Sequence, residues 1–212
     1  MSHAPVESML QALTFQHLSV SFEGACSRFD MQPFLVTLPK PWIVDITAYG
    51  DVQISSVEHS VTRRFKTCSD PHLLYASLAR GTRAHAIHMN VSAPQLPYIE
   101  GEWTTLETLE IDVSAVNLNG QDDEKMFVGP MEKGFKRTRV AWPALRQLVL
   151  SARNPSATTS FCTRYLRELV SWLRYHNDPY SLALTLKGTG AVEIDPRHKD
   201  TWRYFRQVDF VA

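Results

Sequence analysis

Apolar residues recur along this chain in strings spaced ϕ-x-x-ϕ-x-ϕ, where ϕ is apolar. Leu106-x-x-Leu109-x-Ile111 is the clearest and runs on through Ser114-x-Val116; Leu145-x-x-Leu148-x-Leu150 repeats it. Phe15-x-x-Leu18-x-Val20 and Phe205-x-x-Val208-x-Phe210 keep all three positions. Pro41-x-x-Val44-x-Ile46, Ala84-x-x-Ile87-x-Met89 and Pro179-x-x-Leu182-x-Leu184 keep only the last two. The alternation at the end of each string buries one face of a short strand and leaves the intervening residues on the other. One such strand cannot bury its face alone, so the strings predict copies stacked side by side. The middle ϕ positions, Leu18 to Val208, are separated by 26, 43, 22, 39, 34 and 26 residues. The step of 43 leaves room for a further strand near Phe65, and those of 39 and 34 require insertions.

Helical segments fall between the strands. Asp70 can cap a helix that starts at Pro71, runs through Leu73, Leu74 and Leu78, and stops at Gly81. From Ser160 to Asn177, Phe161, Leu166, Leu169, Val170 and Leu173 recur at helical spacing, and Asp178-Pro179 ends the run. Strands are predicted over Ser181–Leu186 and Gln207–Val211, with a turn at Gly188-Thr189-Gly190 and a short helix from Asp200 to Tyr204. Residues 1–14 read as a leading arm. Residues 117–139 read as an inserted loop, acidic at Asp122–Glu124 and basic at Lys133–Arg139, either solvated or in contact with a partner. No linker divides the chain, so 1–212 reads as a single domain.

The string at 106–116 matches the leucine-rich-repeat template L-x-x-L-x-L-x-x-N/C-x-L, with Ser114 at the Asn/Cys position. Three of the six steps fall in the range of roughly 20–29 residues that such repeats use. Thr105–Ile111, Trp142-Pro143-Ala144-Leu145-Arg146-Gln147-Leu148-Val149-Leu150, and Leu166–Val170 followed by Ser181–Leu186 resemble the irregular leucine-rich repeats in the C-terminal parts of fungal F-box-like proteins. The resemblance implies an α/β open arc with a mostly parallel sheet and helices on its convex side, used for binding. The F-box itself is not seen, since Met1–Leu13 is too short for one, so adaptor function in a ubiquitin ligase is not carried over.

Composition narrows the classes. Basic and acidic residues number 22 each, for a formal net charge of zero, which argues against a general nucleic-acid binder. No apolar run approaches the ~20 residues of a membrane span, and no signal peptide is visible. Cys26, Cys68 and Cys162 form neither a C-x-x-C pair nor a disulfide framework, so the expected compartment is reducing, cytoplasmic or nuclear. The sequon at Asn90-Val91-Ser92 lies in a predicted strand and reads as chance.

Residues between the apolar positions should line the open, concave face: Asp45, His88, Asn90, Glu110, Asp112 and Asp209, with Ser19, Thr47, Gln147, Ser151 and Thr185. Neighbouring strands lie ~5 Å apart, which places His88 beside Glu110 or Asp112. A histidine flanked by carboxylates can bind a metal or act as a general base, or be a plain surface ion pair. His85 and His88 would point to opposite sides of a strand, so no metal site is expected from them. No nucleophile elbow, P-loop, dinucleotide fingerprint or H-E-x-x-H appears. The reading is a protein-interaction module with no cofactor and no catalytic residues. It recognises a partner with a basic surface rather than nucleic acid or membrane, and homo-oligomers stay open. The alternative is an α/β enzyme of unidentified class with its site near His88, Glu110 and Asp112.

Overall fold

Period-two burial is strict in some of the strands. Residues 108–112 and 183–186 alternate half-buried with buried side chains, as strands with one covered face must. The computed structural model describes residues 16–22, 32–67, 71–82, 84–99, 103–113, 142–152, 160–162, 166, 169, 181–188, 191–193 and 196–211. Its strands are β1 (His17–Phe22), β2 (Trp42–Ile46), β3 (Val52–Ser56), β4 (Thr62–Thr67), β5 (Ala86–Ser92), β6 (Thr108–Asp112), β7 (Gln147–Ser151), β8 (Ser160–Cys162), β9 (Ala183–Lys187), β10 (Ala191–Glu193) and β11 (Gln207–Val211). Nine of them form one sheet in the order β1-β4-β3-β2-β5-β6-β7-β9-β11, and β8 pairs with β10 apart from it. Every neighbouring pair in the large sheet is parallel except β2·β3 and β3·β4, so β3 alone runs backwards. The chain is an α/β protein built on a mostly parallel nine-stranded sheet with few helices among the described residues.

Chain order and sheet order agree from β2 through β5, β6, β7, β9 to β11, and fail at the other end. β1 sits beside β4, and the long step after Val44 holds two strands, β3 and β4, where one was expected. Gly50, at φ 84°, makes the tight β2–β3 turn that reverses the chain. Such a hairpin carries no repeat spacing to reveal it.

Two strand frames also differ from the strings. Met89 pairs across from Leu109, and Leu184 across from Leu148, so Met89 and Leu184 replace Ile87 and Leu182 as the repeat markers. The shift is two residues in both, which preserves the face each side chain points to. At β5 a bulge contributes: Trp42 faces Ala86 but Ile43 faces His88, leaving Ile87 as the extra residue.

One face of the sheet is the core. Val44, Met89, Val91, Leu109, Ile111, Leu148, Leu150, Leu184 and Leu186 are all fully buried there. A tight turn leads into several strands: the Leu145 amide donates to the Trp142 carbonyl and the Phe205 amide to the Trp202 carbonyl, each at 3.1 Å. Trp103 and Trp142 are buried wedges at these entries. Gly188, at φ 65°, ends β9 where a Cβ would lie 2.7 Å from the Ala152 carbonyl oxygen, so only glycine fits.

Helix α1 (Gln32–Leu35) is a single turn. Helix α2 (Pro71–Thr82) packs on the core through Leu74, Tyr75 and Leu78. It runs past Gly81 to Thr82, whose hydroxyl donates back to the Leu78 carbonyl at 2.8 Å. Ser160–Cys162, expected as the start of a helix, is strand β8, paired with Ala191–Glu193. That partner lies far along the chain, where helical periodicity cannot reveal it. Cys162 is therefore a strand residue. Leu166 and Leu169 are helical and buried, as their stripe predicts. The leading arm, the loop at 117–139 and the rest of the helix at 163–177 lie outside the described residues.

Candidate interaction face

Laterally paired residues in a sheet project from the same face, so the register lays out the open side row by row. The middle row runs Ser19, Arg64, Gln53, Asp45, Asn90, Glu110, Val149, Thr185, Asp209, one residue from each strand. Eight of these nine are polar, and the row opposite it across the sheet is the core. Short alternating strands produce this division without any further device.

The sequence-predicted site residues all fall on this face, in four places. Asp45 and Asn90 are neighbours, with the Asn90 amide donating to Asp45 Oδ1 at 2.9 Å. His88 and Glu110 sit diagonally on β5 and β6, with His88 Nε2 3.8 Å from Glu110 Oε2; the pair is ionic only when the imidazole is protonated. Asp112 ends β6 between Ser92 and Ser151. Both serines are buried, and their hydroxyls have no hydrogen-bond partner among the described residues. Asp209 stands apart on the edge strand, three strands from Glu110, and holds the Gln207 amide at 2.9 and 3.1 Å. His85 is not on this face; its ring stacks edge-on against Trp42, centroids 5.1 Å apart.

Sequence reasoning missed Gln53, because β3 was not expected, and Arg64 and Lys66, because the strand expected near Phe65 was given no frame; Lys187 follows Asp112 and Ser151 laterally in the row at the strand ends. With them, the face is not uniformly acidic. Charge alternates across it: basic on β4, acidic on β2 and β6, basic on β9, acidic on β11. A depression of about 340 Å³ opens where the basic and acidic strips meet, lined by Asp45, Thr47, Asp51, Gln53 and Arg64. Arg64 crosses it to Asp51 at 3.1 Å. The turn forming its rim is held by the Thr47 amide donating to the Asp51 carbonyl at 3.0 Å and by the Asp51 amide donating to Thr47 Oγ1 at 3.2 Å.

The turn is also held from behind. Tyr75 on α2 donates its hydroxyl to Gln95 Oε1 at 2.8 Å, and the Gln95 amide donates to the Ala48 carbonyl at 2.8 Å. Burial, then the neighbouring Tyr98 and Asp51, push the Tyr75 phenol well above its ordinary pKa, so it stays a donor.

Among the described residues no three His, Cys, Asp or Glu side chains are placed to hold a metal ion, and no helix is long and apolar enough to cross a membrane. The chemistry the face offers is hydrogen bonding and ion pairing to a surface laid against it. Comparison with protein-family models, with curated proteins and with solved structures finds no match to this chain.

Proposed function

We propose that this chain is a non-catalytic protein-interaction module, a leucine-rich-repeat-like arc whose open strand face recognises a partner with a basic surface. One observation carries the reading. A lateral row that is polar on eight of nine strands, broken only by Val149 on β7, crosses one side of a sheet whose other side is apolar and covered. The acids Asp45, Glu110 and Asp112 cluster on the central strands β2 and β6, where a partner laid on the face makes most contact. Their charge steers a basic partner and speeds encounter more than it tightens the complex.

The test compares wild type with the Glu110→Lys/Asp112→Lys variant in pull-downs from native lysate at low and raised salt. The variant should lose the wild-type partners, and raised salt should weaken capture by wild type. Identical partner sets for both proteins, unchanged by salt, would overturn the reading. The His88–Glu110 contact favours a second reading, a general base in an enzyme of unidentified class. His88→Gln tests the second reading: it would abolish turnover there, whereas under the first no turnover is seen with either protein and capture stays salt-sensitive.

A further inference from the structure

We propose that the depression beside the β2–β3 turn receives an arginine side chain of the partner. The proposal rests on the open face being the recognition surface, and it names where on that face the contact is anchored.

The charge of the depression fixes the sign of its occupant. Asp45 and Asp51 stand against Arg64 alone, and Arg64 is already engaged by Asp51 at 3.1 Å. What remains is one carboxylate, Asp45. Its Oδ1 is held by Asn90 at 2.9 Å, which orients the group and leaves Oδ2 open. The Gln53 side-chain amide, in register between Asp45 and Arg64, makes no hydrogen bond among the described residues. Its oxygen is a second acceptor. Thr47, at the rim, offers a third. A cationic group with several donors matches this set, and an anion does not.

Tyr49 selects arginine among the cations. It stands at the tip of the turn between Thr47 and Asp51, 93% exposed, far above what a tyrosine in a folded domain ordinarily shows. A guanidinium is planar, carries five N–H donors and stacks on an aromatic face, whereas an ammonium is a compact, strongly hydrated point charge. A guanidinium entering the depression pairs with Asp45 and Gln53, beside the turn that carries the exposed Tyr49. Tyrosine and arginine are both enriched among interface hot spots. The turn is fixed in advance by the Tyr75–Gln95–Ala48 hydrogen bonds and by the Gly50 amide donating to the Thr47 carbonyl at 3.0 Å, so little ordering is required on binding.

The experiment is an NMR titration of the full chain with a blocked Gly-Arg-Gly peptide, with its lysine and citrulline counterparts run in parallel. Amide shifts should centre on Tyr49–Asp51, Asn90 and the Gln53 side chain. Citrulline, which keeps the shape and loses the charge, should give none, and lysine should bind several-fold more weakly than arginine. Asp45→Asn should weaken the arginine peptide about tenfold or more, and Tyr49→Ala by about three- to tenfold. Tyr49 is exposed, so its variant keeps the fold if Asp45→Asn does not. Equal binding of citrulline and arginine, or shifts confined to Asp112 and its neighbours, would overturn the proposal. Loss of protein partners by Glu110→Lys/Asp112→Lys with full retention by Tyr49→Ala would do the same while leaving the recognition face standing.

Discussion

From β5 to β11 the sheet grows one strand at a time in chain order; from β2 to β1 it grows by hairpins and closes with a strand brought from the beginning of the chain. The first region is held by repetition: from β5 to β9, Met89, Leu109, Leu148 and Leu184, then Val91, Ile111, Leu150 and Leu186, are buried at equivalent positions, with tryptophan wedges at Trp103 and Trp142. The second is held by particular side chains. On β4, where the first region would place a leucine, Arg63 lies buried and donates to the carbonyls of Phe34, Gln16 and Thr62 and to Thr37 Oγ1, at 3.0 to 3.3 Å. A repeated core is robust because each layer restates the last. A stitched one depends on single residues that tie segments distant in sequence.

The contrast is broken most directly in the repeated region. Leu148→Ala empties a position packed between Leu109 and Leu184, and should cost about 2–5 kcal/mol. Urea denaturation should show the loss as a lower midpoint in one cooperative transition. Two separate transitions would mean the regions fold independently and the comparison is one of domains.

Arg63→Met keeps the stem and removes the donors, leaving buried carbonyls without them. We expect a smaller loss, about 1–3 kcal/mol. Hydrogen exchange should quicken at β1 and β4 and stay unchanged at β6 and β7. Equal acceleration across the whole sheet would show that the stitched end supports the repeated one. Burial holds the guanidinium below its ordinary pKa.

The smallest effect lies at the junction. His85 accepts the Trp42 amide through its carbonyl at 2.9 Å, and joins β2 to β5. Burial first, and then Lys40, hold its imidazole below the ordinary value of 6.5; a backbone hydrogen bond at Ala84 opposes them. The unfolded chain therefore binds this proton more readily. Its contribution is fully present above pH 6.5 and falls away as the pH drops through that value toward the depressed one. The melting temperature of wild type should fall more between pH 7.5 and 5 than that of His85→Gln. Parallel curves would place the pH dependence elsewhere.

What the sequence made legible follows the same division. Alternation identified β1, β2, β5, β6, β7, β9 and β11 and the face of each site residue, because a two-residue error of frame leaves parity untouched. It lost β3 and β8, whose pairing partners are fixed by a turn and by a distant segment rather than by a period. With β3 and the frame of β4 went Gln53 and Arg64, and so the depression beside the β2–β3 turn, whose walls come from three strands that pair only after the chain has turned twice.

The bonds from Tyr75 through Gln95 to Ala48 join a helix on the covered side to a turn on the open side. The sheet is otherwise a partition, with each face indifferent to what touches the other. Here a tether passes around its edge. Two side-chain hydrogen bonds therefore fix where the turn stands relative to the helix behind it.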